Sequence, residues 1–274
     1  TILPQGLYEQ TTFNGSSREA RRSQLGLNAQ DLLVIGVGYA DMRKGFDLFL
    51  QLWRKLAGQA HCVWVGAIDP VLQDGLRTAI DHACASGIFH MPGRVHNVAD
   101  WLSASDAFTL TSREDPYPSV VLEALASGLP CTSFADNGGI PELLKNLQNN
   151  PTTFNMVVPF ADVRAMSLAA LELAEWSKAR GQNTRQAAAR KLGKSFLFRP
   201  YAQQLLRLAA PKIPSISVVV PSYNYARYLE ARLVSIFTQT FPVLEIIVLD
   251  DASEDNSIEV AMGTAAEWGR DVRI

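Results

Sequence analysis

Three carboxylates gather in the stretch SREDPYPSVVLEALASGLP, residues 112–130. Glu114 and Asp115 precede two prolines, and Glu123 lies in the apolar text that follows. Pro116 and Pro118 stiffen the loop, and Ser119 is the expected N-cap of a short helix. The amides of Ser119, Val120 and Val121 would then be open to an anion. Glu123 is read into the first turn, with its carboxylate near the same place, and Gly128 and Pro130 end the helix. Amides for a diphosphate beside acids for ribose and sugar hydroxyls suit a sugar nucleotide. One acid at a helix start complements the helix dipole by about 0.3–1 kcal/mol and implies nothing more. Three acids with two prolines imply a ligand.

A second candidate is GVGYADMRKGF, residues 36–46. Glycines directly after a strand let a ligand approach the backbone, and the next helix start favours anions. A dinucleotide fingerprint fails here, because Asp41 stands where the third glycine of GxGxxG belongs, and there is no GK[ST] loop. Lys44 remains as a point charge suited to a phosphate, with a solvated loop lysine as the equal alternative. The third stretch, DNGGIPELL, offers Gly138 and Gly139 in a tight turn before another helix. Far downstream, SVVVPSYN and LDDASEDNS place Pro221, Tyr223, Asn224, Asp250 and Asp251 at two strand ends. A calcium loop is a poor reading of the second of these. Counting from Asp251, no glycine falls at position six and no glutamate at twelve.

Elements that could position these residues alternate along the chain. Strands are expected in LLVIGVG, CVWVG, IFHM, AFTLT and CTSFA, with a further one in MVVPF. Amphipathic helical text separates them, and alanine-rich helical text runs from Asp162 to about Leu208. The alternation predicts a Rossmann-like parallel sheet with helices on both faces, and the chemistry-bearing loops fall at its carboxyl edge. Two prolines in APKIPS interrupt the helical text, so a linker is expected over 209–215 between a first domain, 1–208, and an α/β unit, 216–274.

Composition narrows the class. Apolar residues are 47 % of the 274, enough for a sizeable core, and a net charge of −2 gives no reason to expect nucleic acid. No apolar run reaches the roughly 18 residues of a membrane span. Cys62, Cys84 and Cys131 sit in apolar settings without a CxxC pair, which predicts reduced, buried thiols and a cytoplasmic place, or one at the inner membrane face. The four histidines show no metal-ligand spacing. The chain opens on Thr1 and closes on DVRI after polar helical text, so a piece of a longer protein is expected.

Taken together, Gly38-x5-Lys44-Gly45, the GRV of Gly93–Val95, residues 112–130 and DNGGIPELL resemble the C-terminal nucleotide-binding domain of the family 4 glycosyltransferases. These are retaining enzymes of GT-B architecture. The resemblance covers roughly residues 1–208, with ILPQGLY matching the interdomain hinge. It implies that Lys44 contacts the donor diphosphate, that Glu123 holds the ribose, and that the first acid of the E-x7-E motif sits by the transferred sugar. Seven-residue spacing selects Asp115 for that acid, with Glu114 one place earlier. Tyr39 stands where the family often has an arginine. Gly38, Tyr39, Lys44, Arg94, Ser119, Val120, Glu123, Gly138 and Gly139 are therefore the expected donor contacts, and Asp115, Glu114 and Glu123 the expected catalytic acids.

The text from Ser215 onward is similar to the opening of the family 2 glycosyltransferases, inverting enzymes of GT-A architecture. That resemblance assigns Pro221, Tyr223, Asn224, Asp250 and Asp251 to the nucleotide. It implies a divalent metal, Mn or Mg, for a complete second module, with ligands beyond Ile274; the first module needs no cofactor. The expected partners are a nucleotide-diphosphate sugar, a glycan or lipid-linked acceptor, and an acceptor domain ahead of Thr1. Donor binding with little or no transfer is expected of this length alone. A GT-B epimerase or phosphorylase, an NAD-dependent oxidoreductase and a non-catalytic binding module are the rival readings.

Overall fold

The computed structural model describes residues 6–7, 11–147, 154–209, 215–239, 241 and 243–274. Most of the expected hinge and linker text lies outside them. The chain divides into two compact units, residues 1–202 and 203–274.

The first unit opens with α1 (Gly15–Gln24), then alternates β1 (Leu33–Val37), α2 (Phe46–Leu56), β2 (His61–Val65), α3 (Pro70–Ala85), β3 (Phe89–Gly93), α4 (Val98–Ala104) and β4 (Ala107–Leu110). It continues through α5 (Ser119–Ala126), β5 (Cys131–Phe134), α6 (Ile140–Leu147), β6 (Met156–Val158), α7 (Val163–Ser195) and α8 (Phe198–Ala209), whose last residues belong to the second unit. The six strands form one parallel sheet in the order β3-β2-β1-β4-β5-β6, with Val34 beside Ala107 and Ile35 beside Phe108. This is the Rossmann-like arrangement expected from the alternation. The first four residues of β1 and all of β4 are buried, which explains their near-continuous apolar text: helices cover both faces. Val34 joins a core with residues of α2 and α7, while Leu33 and Ile35 join another with residues of α4, α5 and α6.

The strand order reverses between β1 and β4. The loops leaving these two strands therefore diverge into helices on opposite faces, and a crevice opens between them, the usual ligand position in such sheets.

Two elements depart from the sequence reading. Helix α1 was missed, because NGSSREARRSQ has no apolar stripe to reveal it. Its start is marked only by Asn14, whose side-chain oxygen accepts the Ser17 amide at 3.0 Å. The long helical text after Asp162 is also not continuous. It kinks at Gly181 (φ 74°, ψ 170°), and α8 begins after a break at Phe196. Of the thiols, Cys62 and Cys131 are buried, but Cys84 is exposed. Its neighbours Ala83 and Ala85 suggested an inside face, and only Ala83 faces in.

At the other end of the sheet, His61 Nδ1 and His90 Nε2 lie 3.2 Å apart on adjacent strands. At that distance one nitrogen must donate and the other accept, so two imidazolium rings are incompatible with the contact. Burial lowers both pKa values from the ordinary 6.5, and the neighbouring imidazole lowers His90 further. Asp31 opposes the shift of His61, and Arg22 adds to it. A base that resists protonation in the fold but not in the unfolded chain contributes full stability above about pH 6.5, and loses it as pH falls below that value. The thermal midpoint is expected to drop between pH 7.5 and 5.5. In His90→Gln that acid-side slope should flatten, and an unchanged slope would refute the assignment.

The second unit pairs β7 (Ser217–Ser222) in parallel with β8 (Glu245–Asp250). Two helices, α9 (Ala226–Phe237) and α10 (Ser257–Glu267), accompany them. Val220, Ile246 and Val248 share a core with Leu229, Leu233, Phe237, Ala261 and Ala265.

Candidate functional site

Lys44 and Asp115 come from the loops that follow β1 and β4, and the strand order brings them together. The Lys44 ammonium donates to Asp115 Oδ2 at 2.5 Å, with side chains only 16 % and 8 % exposed. A charge pair so little exposed, in a crevice at a strand switch point, marks a place where an anion could meet a cation already desolvated. Ser112 adds its hydroxyl to the same carboxylate oxygen at 3.3 Å. The Asp115 amide donates to the Asn137 carbonyl at 2.8 Å. Glu114, one residue earlier, is exposed, and its carbonyl accepts from the Arg43 guanidinium at 3.3 Å. Of the two acids left open by the spacing, Asp115 is the one beside Lys44.

The Lys44 loop is built with little freedom. Asp41 accepts the Lys44 amide through its carboxylate at 2.6 Å, and Thr111 donates its hydroxyl to the Lys44 carbonyl at 3.3 Å. A Cβ on Gly45 would stand 2.0 Å from the Thr111 carbonyl oxygen, and its φ is 69°, so glycine is required for the close approach. Gly38 packs along the aliphatic stem of Lys44, and its carbonyl accepts from the Trp64 ring nitrogen at 3.1 Å. Tyr39 is 46 % exposed and donates its hydroxyl to Asp69 at 3.3 Å. Arg94 is exposed in the loop after β3.

The helix opening differs from expectation. Pro118 is the N-cap of α5, without a side-chain hydrogen bond, and Ser119 is the first helical residue. The proline before it fixes the entry geometry that Ser119 was expected to provide. The Val121 amide donates to the Pro118 carbonyl at 3.2 Å, which removes it from the expected anion-binding set. The Ser119 and Val120 amides remain at the helix opening. Glu123, half-buried, falls just past the first turn, one residue further in than the reading placed it, because the helix begins at Ser119. Gly138 (φ 138°) is needed because a Cβ would come within 2.0 Å of the Asp115 carbonyl oxygen. The Gly139 amide is spent on the Pro116 carbonyl at 2.8 Å. Both glycines thus lock the 115–118 loop against the loop after β5.

Two groups escaped the sequence reading. Asn137 is buried, and its Oδ1 finds no hydrogen-bond partner among the described residues, although its Nδ2 reaches the Ser112 carbonyl at 3.4 Å. Asp47 and Arg113 form a bidentate ion pair with both distances at 2.7 Å. Arg113 stood inside the carboxylate-rich stretch, but nothing local pointed to a partner 66 residues away.

In the second unit the expected nucleotide residues share one end of the two strands. Tyr223 is 59 % exposed. Asn224 has φ 50°, and its side-chain oxygen accepts the Glu254 amide at 2.7 Å and the Asp255 amide at 3.3 Å. Asp250 accepts both the amide and the hydroxyl of Ser253, at 2.9 and 2.6 Å. The Asp251 amide donates to the Ser222 carbonyl at 2.9 Å, and Pro221 and Asp251 are exposed. Asp255, which the reading did not single out, is held below the usual carboxylate range, first by the Ser257 hydroxyl. Among the described residues no three histidine, cysteine or carboxylate side chains converge to hold a metal ion. The Asp250 and Asp255 carboxylates accept from nearby serine amides and hydroxyls. No helix among the described residues is long and apolar enough to cross a membrane.

Comparison with known proteins matches both units. The profile of glycosyl transferases group 1 matches residues 29–175, and that of glycosyl transferase family 2 matches residues 217–274. D-inositol 3-phosphate glycosyltransferase of Xylanimonas cellulosilytica is 26 % identical over 185 residues, 66 % of this chain and 43 % of that protein. The chain therefore spans less than half the length of this relative. Sucrose-phosphate synthase from Thermosynechococcus elongatus superposes with a TM-score of 0.60 at 22 % identity, covering 77 % of this chain and 52 % of that one. Anabaena HepE, solved in complex with UDP and glucose, gives a TM-score of 0.60 at 17 % identity, with coverage of 77 % and 56 %. These likenesses show the fold shared with GT-B glycosyltransferases.

Proposed function

The chain belongs to the glycosyl transferases of group 1, and from that premise we propose that its first unit binds the donor, a nucleotide-diphosphate sugar, for a retaining transfer. The observation that carries this reading is the Lys44–Asp115 pair at the switch point, beside the opening of α5. In this reading the diphosphate lies against the Lys44 ammonium and the Ser119 and Val120 amides. These preorganised charges and dipoles would stabilise the negative charge that grows on the leaving diphosphate as the glycosidic bond breaks. Asp115 faces the sugar hydroxyls and Glu123 the ribose. Arg94 and Tyr39 border the site, and the loop held by Gly138 and Gly139 closes it. UDP is the first base to test, since HepE was solved with UDP.

We assign the second unit to a glycosyltransferase family 2 module that binds a nucleotide at Pro221, Tyr223, Asn224, Asp250 and Asp251. The acceptor is a glycan or lipid-linked glycan, and the enzyme works in the cytoplasm or at the inner membrane face. Transfer would need an acceptor-binding domain in addition to this length.

A thermal-shift panel of UDP-, GDP- and ADP-sugars tests the donor reading. One base class should raise the midpoint at millimolar concentration, because a ligand that binds only the folded state stabilises it. No shift with any of the three would sink the proposal.

A further inference from the structure

We propose that Arg113 and Asp47 form a positioning clamp that holds the Lys44 loop in register with the loop carrying Asp115. The inference rests on the donor-binding reading above. Three of the five N–H donors of the Arg113 guanidinium are directed at the other loop or the helix behind it. Nη1 donates to the Met42 carbonyl at 2.6 Å and to Asp47 Oδ1 at 2.7 Å, while Nη2 donates to Asp47 Oδ2 at 2.7 Å. The Arg113 amide adds a bond to the Arg43 carbonyl at 2.8 Å. Thus the carbonyls of Met42, Arg43 and Lys44 all accept from residues 111 and 113.

The geometry separates this pair from an ordinary surface ion pair. Asp47 lies in the first turn of α2, where a carboxylate already gains from the helix dipole and has no need of an arginine. What Arg113 adds is the bridge from that turn back to the Met42 carbonyl, two residues before Lys44. The pair is bidentate and partly shielded, with side chains 32 % and 16 % exposed, so its geometry is fixed as well as its charge. Hydrogen bonding to Asp47 raises the Arg113 pKa above its ordinary value, so the fork stays charged. Neither residue has a place among the donor contacts. Their effect on binding runs through where Lys44 stands, and a displacement of about 1 Å at such a site is costly.

Calorimetric titration of the full chain with UDP tests the clamp, using wild type, Lys44→Ala, Arg113→Ala, Arg113→Lys, Asp47→Ala and the Arg113→Ala/Asp47→Ala double variant. Arg113→Ala and Asp47→Ala should each weaken UDP binding about tenfold. The double variant should be no weaker than the worse single one, since both singles break the same bridge. Arg113→Lys keeps the charge but cannot span both carboxylate oxygens and the Met42 carbonyl, so it should recover only part of the affinity. It also provides the test if an alanine variant fails to fold. A role in stability alone would lower the midpoints without nucleotide and leave the affinity of the folded protein unchanged. Arg113→Ala or Arg113→Lys binding UDP like wild type, while Lys44→Ala loses it, overturns the clamp and leaves the donor reading standing. If wild type binds neither UDP, GDP nor ADP, the donor reading fails and the clamp falls with it.

Discussion

Lys44→Ala is expected to weaken UDP binding at least thirtyfold, about 2 kcal/mol, and to destabilise the fold as well. The second effect follows from what the lysine leaves behind. Asp115 is 6 % exposed, and without the ammonium its remaining side-chain partner among the described residues is the Ser112 hydroxyl at 3.3 Å. Removing one member of a buried pair costs about 3–5 kcal/mol, because the other charge stays buried without compensation. Asp115→Asn should be milder, since an amide keeps the shape and carries no charge, and Lys44 is the more exposed partner.

The two variants should also separate in binding. With the carboxylate gone, Lys44 gives its whole charge to the diphosphate, so Asp115→Asn should bind UDP several-fold more tightly than wild type. A UDP-sugar should gain less, because the acid assigned to its hydroxyls is missing. The ratio of UDP-sugar to UDP affinity should therefore fall in Asp115→Asn. Titration of both ligands measures it, and an unchanged ratio would remove Asp115 from the sugar's surroundings.

Asp106→Ala should be among the most destabilising single substitutions in the first unit, by about 3–5 kcal/mol, without changing what the folded site binds. Asp106 is 1 % exposed and accepts from Arg18 at 2.6 Å, Arg22 at 3.2 Å and the Leu33 amide at 2.9 Å. A third guanidinium, Arg185, donates to the carbonyls of Leu102, Ser103 and Ser105 at the end of α4, and to that of Ser127. Full burial, and then the Arg18 charge, push the Arg185 pKa down to about 9. Three cations thus converge on a helix C-terminus, which favours them, with Asp106 as the shared counter-ion. Asp106→Asn still accepts from Leu33 and should lose less than Asp106→Ala. Chemical denaturation of the two variants beside wild type checks the order, and equal losses would show that the charge does not matter.

The loops at the carboxyl edge of the sheet were legible in the sequence because each follows a buried strand and carries residues of restricted type. Glycine and proline fix the turns, and the acids and the lysine are rare amid apolar text. The sheet was legible for a related reason: short apolar runs alternating with helical text leave few ways to bury both. Helix α1 was not, since its burial depends on Arg18 and Arg22 reaching Asp106, 88 and 84 residues away, and not on an apolar stripe. The N-cap of α5 was misplaced by one residue because Ser119 and Pro118 both fit a helix start locally, and the loop's path decides between them.

The sequence by itself determined the parallel α/β architecture and the set of loops that could hold a ligand. Periodicity and turn chemistry are encoded within a few residues, so they survive without tertiary context. It also named the two acids between which the motif spacing had to choose. Only the tertiary structure decided that Asp115, 71 residues from Lys44, is its partner, and that Arg113 bridges to Asp47. The cause is the crossover that returns the chain from β3 to lay β4 beside β1. That return sets two distant loops side by side, and no local pattern in either loop records what the other brings to the crevice.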